Sequence, residues 1–163
     1  MQTATGRLQL RPATADDAPA LFAFMGDPAA MHFTHVQPSL DACRHHISAH
    51  ESRRPIAGCA PWTILEKASG AIIGWGGLYD DPFAPGWGIE IAYLFAPSAW
   101  GRGYATELVR FCLEIAARDL RLDSVAAFAH PDNVASRRVL EKTGFAIERF
   151  VPEMQRYLYR RRL

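Results

Sequence analysis

The sequence lacks any apolar run near the roughly 18 residues that a membrane-spanning helix needs, and residues 1–11 lack the apolar core of a secretion signal. We therefore expect a cytoplasmic protein with no membrane partner. The sequence also has little net charge, because its 18 Lys and Arg residues are balanced by 17 Asp and Glu residues. Proteins that bind nucleic acid through its phosphates need a strong basic excess, so we expect no nucleic-acid partner.

Cysteine is scarce as well, and its spacing contains no C-x-x-C pair. An odd set of three builds neither a disulfide framework nor a recognisable zinc site, so we interpret them as small buried apolar residues: Cys43, Cys59 and Cys112. Histidine is clustered in His32-x-x-His35 and in Cys43-x-His45-His46, but these groups supply no settled tetrahedral set of ligands. We therefore expect no metal cofactor.

The residues that are present suit one domain over residues 1–163. Apolar residues make up 49% of the chain and charged residues 21%, and neither a repeat nor a linker divides it. For the first half, the patterns predict a strand at 7–11, a helix that starts near Thr14, a second helix at 39–53, and a hairpin of strands at 61–66 and 71–79. The first helix must end before Pro28, because the residue preceding a proline is pushed out of the helical conformation.

The second half carries the stronger signals. An apolar run at 88–95, which contains the single carboxylate Glu90, predicts a central strand. A glycine-rich turn follows, and then a helix with one apolar face, formed by Leu108, Val109, Cys112, Leu113 and Ala116. The patterns next predict a strand at 124–129, a helix at 132–142, and two last strands at about 145–151 and 154–160. Strands that alternate with helices indicate an α/β domain with mixed strand pairing.

The glycine turn has the features of an anion-binding site. Gly101 and Gly103 allow a close approach of the backbone, and the N–H groups from Gly103 to Thr106 offer donors at the positive end of a helix. Residues 82–163 also hold 12 of the 18 basic residues. A P-loop is excluded because G-x-x-x-x-G-K-[ST] is absent, and a dinucleotide fingerprint because Thr106 stands where glycine or alanine is required. A turn made of glycine only for packing is the alternative.

The motifs occur in a recognisable order along the chain: RLQLRPATADDAPAL, then WGRGYATE at 100–107, Asn133-x-x-Ser136, and LEKTGF at 140–145. This order resembles the GNAT superfamily of acyl-CoA-dependent N-acyltransferases, and most closely its RimJ/RimL-type branch. The resemblance implies an α/β (α+β) fold with a mixed, mostly antiparallel, twisted sheet of about 6–7 strands flanked by about 4 helices. The sequence departs from the family's pattern where Trp100 replaces the usual Gln or Arg, and where Leu140 replaces a tyrosine that protonates the leaving thiolate.

The resemblance implies acetyl-CoA as co-substrate. It assigns the N–H groups from Arg102 to Thr106 to the pyrophosphate of coenzyme A, and the backbone at 94–96 to the pantetheine arm. It also assigns the N–H of Leu94 to the thioester carbonyl, where charge develops during transfer. The full set expected at the cofactor is Leu94, Phe95, Ala96, Trp100, Gly101, Arg102, Gly103, Tyr104, Ala105, Thr106, Asn133 and Arg138.

An amine is protonated at neutral pH and must lose a proton before it attacks a thioester, so the reaction needs a base. Glu90 is the only carboxylate in the central strand, at an offset where some family members keep a glutamate base. A strand glutamate that faces a polar surface or pairs with an arginine is the alternative. Ser136 is the remaining candidate to protonate the thiolate, although a coenzyme A thiolate leaves readily enough that no dedicated acid is required.

Aromatic residues lie at positions that wall the acceptor site in the resembling family: Phe33, Trp75, Tyr79 and Trp87. Aromatic residues also belong to cores, which is the alternative for each of them. The expected function is an N-acetyltransferase that moves the acetyl group to a primary amine, either a protein N-terminus or a small molecule, by direct attack in a ternary complex. A non-catalytic acyl-CoA-binding sensor or interaction module is the alternative. A homodimer is compatible with a domain of this size.

Overall fold

A sheet of eight strands forms the centre of the molecule. The structure is a computed structural model that describes residues 3–163; Met1 and Gln2, which the expected single domain includes, lie outside the described residues. The strands are β1 (Thr3–Ala4), β2 (Leu8–Pro12), β3 (Trp62–Glu66), β4 (Ile72–Tyr79), β5 (Glu90–Phe95), β6 (Ser124–Ala129), β7 (Ala146–Val151) and β8 (Arg156–Arg162).

The strand order across the sheet is β1-β2-β3-β4-β5-β6-β8-β7. Every neighbouring pair is antiparallel except β5 and β6, which are parallel. The mixed, mostly antiparallel sheet and the β3–β4 hairpin are therefore confirmed. The sheet has one strand more than expected, because the two-residue strand β1 pairs with β2 and has too few residues to show a pattern.

Within the described residues, five α-helices flank the sheet: α1 (Ala18–Met25), α2 (Leu40–Glu51), α3 (Arg54–Ala57), α4 (Tyr104–Arg118) and α5 (Val134–Lys142). The side chain of Ser39 begins α2 by accepting a hydrogen bond from the N–H of Ala42 at 3.1 Å. The second helix ends at Glu51, two residues before the end expected at 53, and a four-residue helix starts at Arg54, because proline is tolerated in a first helical turn.

The helices cover both faces of the sheet. On one face α4 buries Leu108, Val109 and Cys112 against the strands, in the helical spacing that the sequence predicted. On the other face α1 and α2 pack around the ring of Trp75. All three cysteines are free and buried, which confirms that they serve as apolar residues. No helix within residues 3–163 is long and apolar enough to cross a membrane.

Candidate active site

The parallel strands β5 and β6 separate beyond a single point of pairing. Within residues 3–163 they share one registered pair, Glu90 with Ala126, where the N–H of Ala126 donates to the carbonyl of Ile89 at 3.0 Å. Beyond this pair the strands diverge towards their C-terminal ends. A cavity of about 590 Å³ lies there, between the two strands, α2 and the loop that joins α1 to α2. This volume suits a small-molecule site.

The backbone groups of β5 alternate between its two neighbours. The N–H of Ala96 donates to the carbonyl of Ile73 at 2.8 Å, and the β4–β5 register has no bulge, so the N–H of Leu94 faces β4 as well. The N–H groups of Tyr93 and Phe95 therefore face the gap. This corrects the backbone roles expected of Leu94 and Ala96, which pairing with β4 occupies, although the side chain of Leu94 lines the cavity.

Glu90 is a buried carboxylic acid in the cavity wall, with 3% of its surface exposed. Tyr79 lies directly across on β4, and its hydroxyl donates to the carboxylate of Glu90 at 2.9 Å. Burial raises the pKa of Glu90 to about 7, against the opposing effect of this hydrogen bond, and the nearby carboxylates of Asp81 and Asp80 add to the rise. No Lys or Arg within the described residues forms an ion pair with Glu90, so the ion-pair alternative does not apply. A carboxylate that titrates near neutral pH can accept a proton from an amine.

Two histidines and an indole form the wall beside Glu90. Burial lowers the pKa of His46 to about 3 and the pKa of His50 to about 4, so both are uncharged at neutral pH. The Trp75 ring centroid lies 5.2 Å from that of His46 and 5.0 Å from that of His50. Within residues 3–163, neither Trp75 Nε1 nor His50 Nδ1 has a hydrogen-bond partner, although both atoms are buried. Such unsatisfied atoms in a cavity wall are groups that a ligand can satisfy.

Three of the four aromatic residues expected at the acceptor site line the cavity: Phe33, Trp75 and Tyr79. Phe33 lies on the loop between α1 and α2, and its ring centroid is 5.3 Å from that of His130, so this loop reaches across to the end of β6. Trp87 is not among the residues that line the cavity, and its expected role at the acceptor site stays a prediction. Its ring packs behind Phe128, a lining residue, with centroids 5.2 Å apart, and the guanidinium of Arg149 covers it at 5.5 Å.

Tyr93 supplies a hydroxyl that the sequence analysis did not identify. This hydroxyl lies 2.9 Å from Oγ of Ser136 and 3.2 Å from the Ser136 carbonyl oxygen. Asn133 places Ser136, because its side-chain oxygen caps α5 by accepting from the Ser136 N–H at 3.2 Å. Burial raises the pKa of Tyr93 to about 12, so its hydroxyl keeps its proton. All three side chains line the cavity. The only sign in the sequence is a hydroxyl in a run whose one other polar side chain is Glu90.

Glu90 and Tyr93 project from opposite faces of β5. Glu90 lies on the face covered by α2, beside Tyr79 and His50, whereas Tyr93 packs with the core that α4 and α5 cover. Both nevertheless line one cavity, because the gap between β5 and β6 passes through the sheet. A base and a hydroxyl donor can thus act on a reacting group from its two sides.

The glycine turn before α4 leaves backbone donors free. Gly101 and Gly103 have φ values of 70° and 80°, in the left-handed region that favours glycine. The first intrahelical bond of α4 runs from the N–H of Glu107 to the carbonyl of Gly103 at 3.1 Å, so the N–H groups at 104–106 have no intrahelical partner. Trp100 is half-exposed and donates its indole N–H to the carbonyl of Phe95 at 2.8 Å, which closes the end of β5.

Two side chains of the turn are engaged elsewhere in the molecule. Arg102 forms an ion pair with Glu66 at 2.7 Å, and the Tyr104 hydroxyl donates to the same carboxylate at 2.5 Å. Arg7 completes this group by donating to the carbonyl of Arg102 at 2.8 Å. These contacts hold the turn against Glu66 of β3 and against Arg7, which precedes β2.

A groove of about 530 Å³ adjoins the start of α4, and Gly103 and Thr106 line it. Three basic side chains surround it: Arg7, Arg110 and Lys142. Arg7 is paired with Glu107, whereas Arg110 has no hydrogen bond or ion pair within the described residues. Arg138 on α5 is exposed and equally unpaired in that part of the chain. Two carboxylates, Glu107 and Glu114, also line the groove, so the unpaired Arg110 is the lining cation best suited to a phosphate group.

Leu140 is fully buried in the core beneath α5, so its position supplies no acid. Within residues 3–163, no three His, Cys, Asp or Glu side chains are arranged to hold a metal ion.

Comparison with known proteins gives one family. The model described as "Acetyltransferase (GNAT) domain" matches residues 7–146. The protein YkkB of Bacillus subtilis (strain 168) is 30% identical over 141 residues, which are 86% of this chain and 82% of YkkB. The uncharacterized N-acetyltransferase p20 of Bacillus licheniformis is 26% identical over 146 residues, which are 88% of this chain and 82% of p20.

Solved structures share the fold. An acetyltransferase from Agrobacterium tumefaciens strain C58 superimposes with a TM-score of 0.85 at 24% identity, over 100% of this chain and 95% of that one. RimL, described as a ribosomal L7/L12 alpha-N-protein acetyltransferase, superimposes with a TM-score of 0.81 at 18% identity, over 99% of this chain and 93% of RimL. AAC(6')-Ib in complex with ribostamycin and coenzyme A superimposes with a TM-score of 0.74 at 20% identity, over 94% of this chain and 92% of AAC(6')-Ib.

Proposed function

Because the chain belongs to the acetyltransferase (GNAT) family, we propose that it transfers the acetyl group of acetyl-CoA to a primary amine by direct attack in a ternary complex. The proposal is one catalytic domain over residues 1–163 that acts in the cytoplasm. The acceptor is a small amine or a protein N-terminus, as in the RimJ/RimL-type branch. Relatives named as N-acetyltransferases and the fold shared with RimL and AAC(6')-Ib support this proposal.

The residues present fit a coenzyme A molecule. Free N–H groups at 104–106, at the positive end of α4, suit its pyrophosphate, and Arg110 and Arg138 are unpaired cations for the remaining phosphate. The N–H groups of Tyr93 and Phe95 face the gap, where an extended pantetheine arm can pair with them as a strand would. Acetyl-CoA supplies an activated acyl group, and the protein supplies orientation and proton transfer.

Three groups are assigned to catalysis, two of which transfer protons while the third stabilises the oxyanion. Glu90 accepts the proton of the attacking amine, for which a pKa of about 7 is well matched at neutral pH. The N–H of Tyr93 lies at the cavity and faces the gap, so it donates to the thioester oxygen as negative charge develops, a contribution of roughly 3–4 kcal/mol in other acyl-transfer enzymes. The hydroxyl pair of Tyr93 and Ser136 returns a proton to the leaving thiolate.

The observation that carries this proposal is the position of Glu90. It is a buried, unpaired carboxylate at the one point where β5 and β6 still pair, so it lies at the start of the gap and beside free backbone donors. A carboxylate buried without an ion partner costs stability, and such groups are found at functional sites.

Thermal unfolding with and without ligands tests the cofactor. Acetyl-CoA and free coenzyme A should raise the unfolding midpoint, because each binds only the folded state, whereas ATP and NAD should not. Gly103→Val should abolish the rise. Gly70→Val is the matched control, because Gly70 has a similar φ of 71° in the β3–β4 turn and no neighbouring atom within 4 Å. No rise with either coenzyme at millimolar concentration would overturn the proposal.

A non-catalytic acyl-CoA sensor is the second candidate, and Leu140 in place of the usual tyrosine favours it. Release of free thiol from acetyl-CoA in the presence of amines separates the two. Binding of coenzyme A without acetyl transfer to any amine would support the sensor.

A further inference from the structure

The cavity contains one permanent cation without an anionic partner. Arg156, at the start of β8, is the only Lys or Arg among the residues that line the cavity. Its recorded contact is a long hydrogen bond, 3.4 Å, from its guanidinium to the carbonyl oxygen of Phe33. No carboxylate within residues 3–163 forms an ion pair with it.

Arg156 acts on the same part of the cavity as the proposed base without neutralising it. Its charge opposes the rise in the pKa of Tyr79, the residue that donates a hydrogen bond to Glu90, and no ion pair within residues 3–163 joins Arg156 to Glu90. The cavity therefore holds a carboxylate for an amine and, across Tyr79, a guanidinium for an anion. A half-buried guanidinium without a counter-ion is costly to maintain and gains most from an anionic ligand.

Aromatic side chains form a large part of the remaining wall. Phe83 stacks on the neutral ring of His46 with a centroid distance of 5.4 Å and an interplanar angle of 4°, and Phe33 also lines the cavity. Of the lining residues, Asp81 and Glu90 are the only carboxylates. A polycation such as a polyamine would find two carboxylates at most and would meet Arg156.

From this arrangement we infer that the acceptor is a free amino acid with an apolar side chain, whose amine lies at Glu90, whose carboxylate pairs with Arg156, and whose side chain packs on the aromatic wall. This inference rests on the proposed acetyl transfer and names its substrate class. A peptide N-terminus lacks the carboxylate next to its amine and leaves Arg156 unpaired. The cavity volume of about 590 Å³ accommodates such a molecule.

Acetyl transfer to matched acceptors tests the inference. We would measure kcat and KM for free leucine, methionine and phenylalanine, each beside its carboxamide and its decarboxylated amine. Arg156→Gln should raise KM for the free amino acids at least tenfold, as expected for a lost charge-assisted hydrogen bond, and leave KM for the amides and amines unchanged. For each acceptor we would compare KM of the variant with KM of the wild type. The basicity of the amine is the same in both measurements, so it does not affect this ratio.

Arg160→Gln is the control variant, because Arg160 lies on the same strand but pairs with Glu148 outside the cavity. It should change KM neither for the free amino acids nor for the amides and amines. An equal loss for acids and amides in Arg156→Gln, or amides that serve as well as free acids in both proteins, would overturn the inference.

A binding measurement separates this inference from the proposed function. Calorimetric titration of phenylalanine into the protein saturated with free coenzyme A does not require turnover. Binding that Arg156→Gln weakens at least tenfold supports the amino-acid site even if no acetyl group is transferred. Coenzyme A binding and acetyl transfer to amines, without discrimination between phenylalanine and its amide, would leave the acetyltransferase standing and contradict the amino-acid site.

Discussion

The hydroxyl of Tyr79 donates a 2.9 Å hydrogen bond to the carboxylate of Glu90, and the two residues lie directly opposite each other on β4 and β5. The bond stabilises the ionised carboxylate, yet burial outweighs it, so the pKa of Glu90 is raised to about 7. Burial and the adjacent carboxylate raise the pKa of Tyr79 well above its usual value, so Tyr79 remains a donor. Glu90 is therefore held in place by a neutral partner and stays free to accept a proton.

Glu90→Gln should lower kcat by roughly 10² or more at neutral pH, because the amide cannot accept a proton. In the wild type, kcat should rise with pH through about 7, as Glu90 ionises, and this rise should be absent from the variant. Thiol release from acetyl-CoA, followed between pH 5.5 and 9, measures both kcat at neutral pH and its dependence on pH. Glu148→Gln, which removes an exposed strand carboxylate, is the control and should change neither kcat nor its dependence on pH. Undiminished transfer by Glu90→Gln at pH 7 would sink the assigned base.

The same substitution should stabilise the protein at alkaline pH. The folded protein holds the Glu90 proton up to about pH 7, whereas the unfolded chain releases it near pH 4.5. The free energy of unfolding therefore decreases as the pH rises from 4.5 to 7. At pH 8, Glu90→Gln should therefore unfold at higher urea concentration, with a gain of about 3 kcal/mol, and at pH 4 it should show no gain. An equal effect at both pH values would mean that ionisation of Glu90 is not the cause.

His50→Phe should reduce the acid sensitivity of the protein. Burial lowers the pKa of His50 to about 4, and the unfolded chain binds that proton near 6.5, so the stabilisation from the neutral imidazole is full above pH 6.5 and is lost as pH falls towards 4. Relative to the wild type, the variant should gain about 2 kcal/mol of unfolding free energy between pH 7.5 and pH 5. Urea unfolding at both pH values measures this difference. An equal decrease in the free energy of unfolding of the two proteins from pH 7.5 to pH 5 would contradict the prediction.

Tyr93→Phe should lower kcat by roughly tenfold or more while leaving the thermal shift with coenzyme A unchanged, because it removes a proton donor and keeps the backbone N–H. Ser136→Ala is the companion variant, since its hydroxyl lies 2.9 Å from that of Tyr93. If Tyr93 is the donor, the loss in Ser136→Ala should be smaller. Steady-state thiol release gives kcat and KM for each. A larger loss in Ser136→Ala would transfer the role to Ser136, and unchanged kcat in both would show that the thiolate leaves without an acid.

The sequence predicted the order of most elements and the position of the site. The turn at 100–105 and the apolar strand before it were identified from glycine spacing and from an apolar run, which are local signals. Glu90 was identified because it is the only carboxylate in that run. Strand β1 was missed, since two residues carry no periodicity.

Other features depend on partners far away in the chain. The N–H groups of Arg102 and Tyr104 were expected at the cofactor, but the sequence could not show that Glu66 on β3 binds both of their side chains. Trp87 was expected at the acceptor site, but it packs on Phe128 of β6, and only Phe128 is among the residues that line the cavity. Arg156 carried no signal in the sequence, because it reaches the cavity only when β8 inserts between β6 and β7.

The sequence by itself thus determined the glycine turn, the helix that follows it and the carboxylate on the strand before it, because these depend on residues within a few positions of one another. The tertiary structure decided which N–H groups face the gap. Leu94 and Tyr93 are neighbours in an apolar run, and only the register of β5 against β4 turns one towards a strand and the other towards the cavity. A backbone group's direction in a sheet is set by its pairing partner, which lies outside the strand that carries it.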